Sequence, residues 1–209
     1  MMNSLIDISP LISPRIGVWT GDTPFSHEYL CTIKEGSNLD LSYMKTTMHL
    51  GAHADAPSHY IHPGEGIAER SLAYYYGPVQ VVHVDISRGE RILPKHMSCE
   101  PQAERILFCT RSFPDPDIFT TDFCALSPEL IHHLAERGVI LVGIDTPSID
   151  PYSSKSLESH QAVAKYDLAV LEGLILEHVP EGCYCLMAFP LKIEGADAAP
   201  VRAILRKLD

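Results

Sequence analysis

The sequence predicts an α/β or α+β fold built on a substantial mixed β-sheet with two principal helices. Short β-branched and apolar segments recur along the chain, helices are predicted at only two places, and the two kinds of segment are interspersed. Hydrophobic residues make up 45% of the 209 residues and charged residues 21%, which is typical of globular proteins. No repeat or Gly/Ser-rich linker divides the chain, so we predict one domain over residues 1–209.

The strands are predicted from β-branched and apolar runs. A short opening strand at residues 5–8 precedes residues 10–26, whose prolines and glycines predict a long ordered loop. Residues 138–144 are almost continuously apolar, which predicts a strand covered on both faces. The other predicted strands are residues 79–86, 105–110, 183–189 and 198–205.

Two segments show helix signals. Ser127 and Pro128 suit the N-cap and the first position of a helix, and Gly138 suits the residue just past its end near Arg137. A second helix is predicted over roughly residues 156–166 from its apolar positions.

The charge balance excludes some partners. Lys and Arg number 16 and Asp and Glu number 27, so the formal net charge is −11. We expect neither nucleic acid nor an anionic membrane as the main partner, because both attract clusters of Lys and Arg. No apolar run approaches the roughly 18–20 residues of a membrane span, and no secretory signal is visible. We therefore expect the six cysteines to be reduced thiols in a cytoplasmic protein.

Histidines and one carboxylate are concentrated in residues 49–59. His49, His53, Asp55 and His59 lie there among small residues, in the spacing H-x3-H-x-D-x3-H. The first three offer nitrogen and oxygen ligands that suit zinc, manganese or iron. Three protein ligands leave a coordination position open, which is typical of a catalytic metal site. We therefore favour a metal site over ordinary polar histidines.

A second group of candidates lies far along the chain. His160 falls within the second predicted helix, and Glu172 ends an apolar stretch just before Gly173. A carboxylate in apolar surroundings is costly unless it is paired or metal-bound. Spacing alone leaves two alternatives open for these residues, which are metal ligands or ordinary surface groups.

These motifs closely resemble the bacterial-type kynurenine formamidases of the metal-dependent cyclase/hydrolase superfamily. The resemblance runs from near residue 19 to near residue 205, so it covers almost the whole chain. The matching stretches are residues 19–25, 49–60, 141–151, 154–163, 171–173 and 200–205. It implies a swivelling β/β/α domain, commonly a homodimer.

The resemblance also implies roles for individual residues. His49, His53 and Asp55 match the ligands of one divalent metal ion, and Asp55, His160 and Glu172 match those of a second. Asp55 and Glu172 would bridge the two ions, with zinc as the first candidate and manganese as the alternative. Two further residues match an acid/base group and a substrate-contacting aromatic, and these are His59 and Trp19.

The implied reaction is hydrolysis of N-formyl-L-kynurenine to L-kynurenine and formate. We expect His59, with an ordinary pKa near 6.5, to protonate the leaving aniline nitrogen. Trp19 would pack on the aryl ring, unless it is a core residue. His62, Asp145 and Ser148 are further candidates for the pocket, without an assigned role. The alternatives are another amide or lactam hydrolase or a cyclase on the same scaffold, and a non-enzymatic metal-binding or interaction protein.

Overall fold

The computed structural model describes residues 5–208. Within this range the α-helices are α1 (Pro128–Ala135) and α2 (Glu158–Tyr166). The strands are β1 (Leu5–Asp7), β2 (Ser26–Cys31), β3 (Leu41–Lys45), β4 (His53–Asp55), β5 (Tyr76–His83), β6 (Arg91–Ile92), β7 (Arg105–Cys109), β8 (Ala125–Leu126), β9 (Leu141–Ile144), β10 (Ala169–Glu172), β11 (Gly182–Met187), β12 (Ala198–Pro200) and β13 (Ile204–Lys207). No helix of the described range combines the length and apolar composition that crossing a bilayer requires.

One mixed sheet organises the described part of the chain. Its nine strands follow the order β1-β13-β11-β5-β7-β9-β10-β4-β12. The central strands β5, β7, β9 and β10 run parallel, and the strands on both sides of them pair antiparallel. All residues of β7, β9 and β10 are buried, because this part of the sheet is covered on both faces.

The two helices pack together on one face of the sheet. Leu130 and Leu134 of α1 and Val163 of α2 are fully buried against sheet residues such as Phe108 and Val142. Ser127 caps α1, since its hydroxyl accepts a hydrogen bond from the Leu130 N–H at 3.0 Å. The predicted mixed sheet with two principal helices is therefore confirmed.

The predicted single strand at residues 198–205 is wrong. The segment contains two short strands, β12 and β13, which belong to distant positions in the strand order. In between, the Val201 N–H donates to Ala52, and the Ala203 carbonyl accepts from Ile8. Pro200 and Ile204 are four residues apart and so at most about 14 Å from each other, and the sheet therefore curls until β12 approaches β13. Alternating apolar residues do not reveal this change of partner.

The hairpin β2–β3 was not predicted. It occupies residues 26–45, between the loop that carries Trp19 and the segment that begins at His49. All five residues of β3 are exposed, as are most of β2. Its exposed apolar side chains are Tyr29, Leu30, Ile33, Leu39, Leu41, Tyr43 and Met44.

Candidate metal centre

Strand register brings the distant candidates together. In β4, His53 is the direct partner of Glu172 in β10, and Asp55 lies two residues further along the same strand. Direct partners, and residues two apart, project from the same face of a sheet. His53, Asp55 and Glu172 therefore share one face, although Glu172 is remote in sequence.

A glycine allows the preceding segment to approach this face. Gly173 has φ 65°, and a Cβ atom there would clash with the carbonyl oxygen of Gly51. Any other residue at position 173 would push the segment away from the end of β10. The Gly51 carbonyl accepts a hydrogen bond from His53 Nδ1 at 2.9 Å.

All five predicted ligands meet in one cluster. His49 Nδ1 lies 3.1 Å from Asp55 Oδ1, and His53 Nε2 lies 3.4 Å from the same oxygen. His53 Nε2 is 3.2 Å from Glu172 Oε2. His160 Nε2, from the first turn of α2, is 3.3 Å from Asp55 Oδ2 and 3.4 Å from Glu172 Oε1. Four of the five are almost completely buried, and His49 is partly exposed.

The atoms of this cluster fit a divalent transition-metal ion. His53 Nε2 and Asp55 Oδ1 are buried without a hydrogen-bond partner. Each such atom costs about 1–3 kcal/mol when it stays unsatisfied. Imidazole nitrogens and carboxylate oxygens at close range are the donors that zinc and manganese take. A cation between them would satisfy both atoms.

The outward nitrogen of each histidine is held by an oxygen. His53 uses the Gly51 carbonyl, and His160 Nδ1 lies 2.8 Å from Asp150 Oδ2. His49 Nε2 lies 3.1 Å from Asp197 Oδ2. In each ring the other nitrogen faces the carboxylates of the cluster. Metal-binding histidines have this arrangement, because an acceptor on one nitrogen leaves the lone pair of the other free.

Asp150 lies against His160 and was not predicted from the sequence. Asp150 is fully buried and accepts hydrogen bonds from the backbone N–H groups of Ser159 and His160. It also forms an ion pair with Arg91 at 2.9 Å. Burial opposes its charge, but the hydrogen bonds from His160 outweigh this and lower the pKa of Asp150 to about 2. Asp150 therefore stays ionised and fixes the His160 ring.

Without a cation, the cluster would carry protons. Burial opposes a charge on His53, but the carboxylates of Asp55 and Glu172 outweigh it and raise the pKa of His53 to about 10. Burial likewise opposes charge on His160, and its carboxylate neighbours raise its pKa above the usual value. A metal ion binds imidazole only when the nitrogen is free, so its binding would displace these protons.

His59 lies beside the cluster. It ends a short 3₁₀-helix (Pro57–His59), and its side chain is 31% exposed. Its ring centroid is 4.2 Å from that of His49, and its nitrogen lies within 4.8 Å of ligand atoms of Asp55 and His160. The expectation of an ordinary pKa was wrong, because partial burial lowers the pKa of His59 despite the opposing field of Asp55. His59 is therefore a neutral imidazole at neutral pH.

An aromatic cavity opens next to the cluster. Trp19 is half-buried and lines it, with its ring centroid 4.8 Å from that of Tyr152 and 5.6 Å from that of Phe119. His49 and His53 line the same cavity, so it reaches the candidate metal site directly. Trp19 is thus a wall residue of a cavity and not a core tryptophan.

Of the three pocket candidates without an assigned role, two line the site and one does not. Asp145 lines the aromatic cavity, and Ser148 lines the adjoining opening together with His59. Asp145 accepts backbone N–H bonds from Thr110 and Arg111, both at 2.8 Å. His62 is exposed and lies outside the lining of both spaces.

Comparison with known proteins places the chain in a family. The family model described as putative cyclase matches residues 6–151. Kynurenine formamidases from Bordetella petrii and Bordetella pertussis are each 43% identical, over 99% of this chain and 100% of their own length. A solved structure, described as a potential metal-dependent hydrolase with cyclase activity, is 26% identical with a TM-score of 0.83, over 99% of this chain and 98% of that chain. The chain therefore belongs to the cyclase family, and within it to the kynurenine formamidases.

Proposed function

We propose that this chain is an arylformamidase that hydrolyses N-formyl-L-kynurenine to L-kynurenine and formate in tryptophan degradation. The main support for this proposal is that two histidines of the ligand cluster also line the aromatic cavity. His49 and His53 belong both to the buried ligand cluster and to the cavity lined by Trp19. An aryl ring in the cavity would place its N-formyl group against the cluster. The cytoplasmic location expected from the sequence is part of this proposal.

The cluster would hold two divalent cations, with zinc as the first candidate and manganese as the second. The support is the orientation of the two carboxylates. Asp55 presents Oδ1 to His49 and His53 and presents Oδ2 to His160. Glu172 presents Oε2 to His53 and Oε1 to His160. Each carboxylate thus faces His53 with one oxygen and His160 with the other, which is the orientation that a ligand bridging two cations would have. When bound, such cations polarise the formyl carbonyl and lower the pKa of water.

His59 would transfer the proton in this reaction, and Trp19 would orient the substrate. The reaction breaks the amide C–N bond of a formanilide, and the aniline nitrogen needs a proton to leave. His59 is neutral, so it can accept a proton from the attacking water and pass that proton to the nitrogen. Trp19 and its aromatic neighbours orient the aryl ring, with stacking worth about 0.5–1.5 kcal/mol beyond burial.

A substrate comparison tests the proposed reaction. The purified protein with zinc should release formate from N-formyl-L-kynurenine in a steady-state assay. An isatin-like lactam should be a poor substrate at the same concentration. Turnover of the lactam without turnover of N-formylkynurenine would contradict the proposal and favour a lactam hydrolase on this scaffold.

The protein would form a homodimer through the hairpin β2–β3. Leu30 is 65% exposed, Met44 58% and Tyr29 57%. Apolar side chains this exposed on a projecting hairpin are typical of an interaction surface. A second copy offers the same hairpin, so a two-fold contact would cover both.

Charge on the hairpin should dissociate the dimer. Sedimentation should give the unmodified protein a mass twice that of one chain. The double variant Leu30→Asp, Leu41→Asp should sediment as a monomer with an unchanged circular dichroism spectrum, since both side chains are exposed. Leu72→Asp, at an equally exposed site outside the hairpin, should leave the mass unchanged. An unmodified protein that is monomeric at micromolar concentration would contradict this interface.

A further inference from the structure

Asp197 is a carboxylate that faces both His49 of the cluster and His59 beside the cluster. It lies directly before β12, whose first residue, Ala198, pairs with Asp55 of β4. The Asp197 carbonyl accepts the Ala56 N–H at 2.8 Å, and the Ala196 carbonyl accepts the Ile67 N–H at 2.9 Å. The backbone is therefore fixed on both sides of the segment that presents this side chain to the site.

One oxygen of Asp197 contacts two histidines with different predicted roles. Oδ2 is hydrogen-bonded to Nε2 of His49 at 3.1 Å, and Nδ1 of His59 lies 3.4 Å from the same oxygen, at ion-pair distance without hydrogen-bond geometry. The rings of these two histidines are 4.2 Å apart between centroids and tilted by 44°. Asp197 thus lies on the outer side of both rings, while Asp55 lies on the inner side of His49.

An ionised carboxylate accepts hydrogen bonds and donates none. A neutral imidazole beside it therefore carries its proton on the nitrogen that faces the carboxylate. For His49 this leaves the Nδ1 lone pair directed at Asp55 and at a cation bound there. For His59 it leaves Nε2 free to accept and return a proton.

We propose that Asp197 is a positioning residue that holds His49 and His59 in their working tautomers through one shared oxygen. The inference rests on the proposed formamidase function. Asp197 does for His49 what Asp150 does for His160. Asp197 differs from Asp150 because it also contacts His59, the proposed acid/base residue. A single carboxylate would therefore orient both a metal ligand and the residue that transfers the proton.

The test compares Asp197→Asn with Glu194→Gln. Glu194 is an exposed carboxylate three residues away, so its variant removes the same charge without touching the histidines. Asp197→Asn should keep both metal ions at saturating zinc. Its zinc affinity in competition with a chelator, and its kcat for N-formylkynurenine, should each fall about 10- to 100-fold. KM should change little, because the interaction serves proton transfer and not substrate binding.

Two further variants separate positioning from packing. Asp197→Ala should show the same losses, and Asp197→Glu should recover part of kcat, since it restores an acceptor. The positioning role would be overturned if the unmodified protein is an active formamidase and Asp197→Asn has the same zinc affinity and kcat as Glu194→Gln. Loss of one metal ion per chain at saturating zinc would overturn it as well, because Asp197 would then be a ligand. Failure of the proposed function differs from both, since the unmodified protein would show no formamidase activity.

Discussion

Dialysis against a strong chelator should abolish turnover of N-formylkynurenine, and added zinc or manganese should restore it. The reason lies in the buried cluster. Without a cation, His53 and His160 hold protons beside Asp55 and Glu172, so the cluster offers neither an electrophile nor an activated water. Elemental analysis of the active protein should give close to two metal ions per chain.

A substitution at Glu172 tests whether the cluster binds two metal ions. Glu172→Gln keeps the size of the side chain and removes the charge that faces both His53 and His160. It should lower the metal content below two per chain and reduce activity in parallel. A fully active protein without transition metal would contradict the metal-dependent mechanism. Full metal content and activity in Glu172→Gln would contradict the bridging role of Glu172.

His59→Ala should lower kcat by about 10²–10⁴ while both metal ions and the fold are retained. His59 lies beside the cluster and is partly exposed, and neither of the two predicted ligand sets includes it. The loss should appear equally in kcat and kcat/KM, because the proton transfer occurs only in the transition state. Formanilides with better amine leaving groups should lose less, since they need less protonation.

A neighbouring histidine provides the control for this variant. His62→Ala removes an exposed imidazole outside both spaces of the site and should leave kcat unchanged. The measurement pairs steady-state kinetics with elemental analysis of each variant. If His59→Ala lost metal in proportion to activity, His59 would be a ligand and its acid/base role would pass to another group.

The local part of the site was predictable from the sequence alone. His49, His53 and Asp55 lie within seven residues, so their spacing already indicates a metal site. His160 and Glu172 join them only through strand register and helix packing, which spacing does not show. For these two residues the family resemblance supplied what the pattern could not.

The supporting carboxylates left no signal that sequence reasoning could use. Asp150 and Asp197 lie in loops, where an aspartate is common for its turn-forming properties. Their roles depend on which histidine nitrogen they face, and this follows from the tertiary structure alone. The lowered pKa of His59 is missed for the same reason, since partial burial is not visible in a motif.

The sheet was predicted better than its edges. Buried strands such as β7 and β9 are apolar runs with a clear signal. The exposed hairpin β2–β3 has apolar residues on a surface that the chain itself does not cover, so the burial pattern that marks a strand is absent. The change of partner between β12 and β13 depends on the curvature of the whole sheet, which no local pattern encodes.

The curled sheet also sets the order in which a nascent chain can complete the site. β4 carries His53 and Asp55, and its outer neighbour is β12, which is made well after every predicted ligand. Until β12 leaves the ribosome, β4 has an open edge that can pair with other chains. The same late segment brings Asp197 to His49 and supplies β13 to cover β1. A chain that stops before residue 198 would thus contain all five predicted ligands and yet expose the strand that carries two of them.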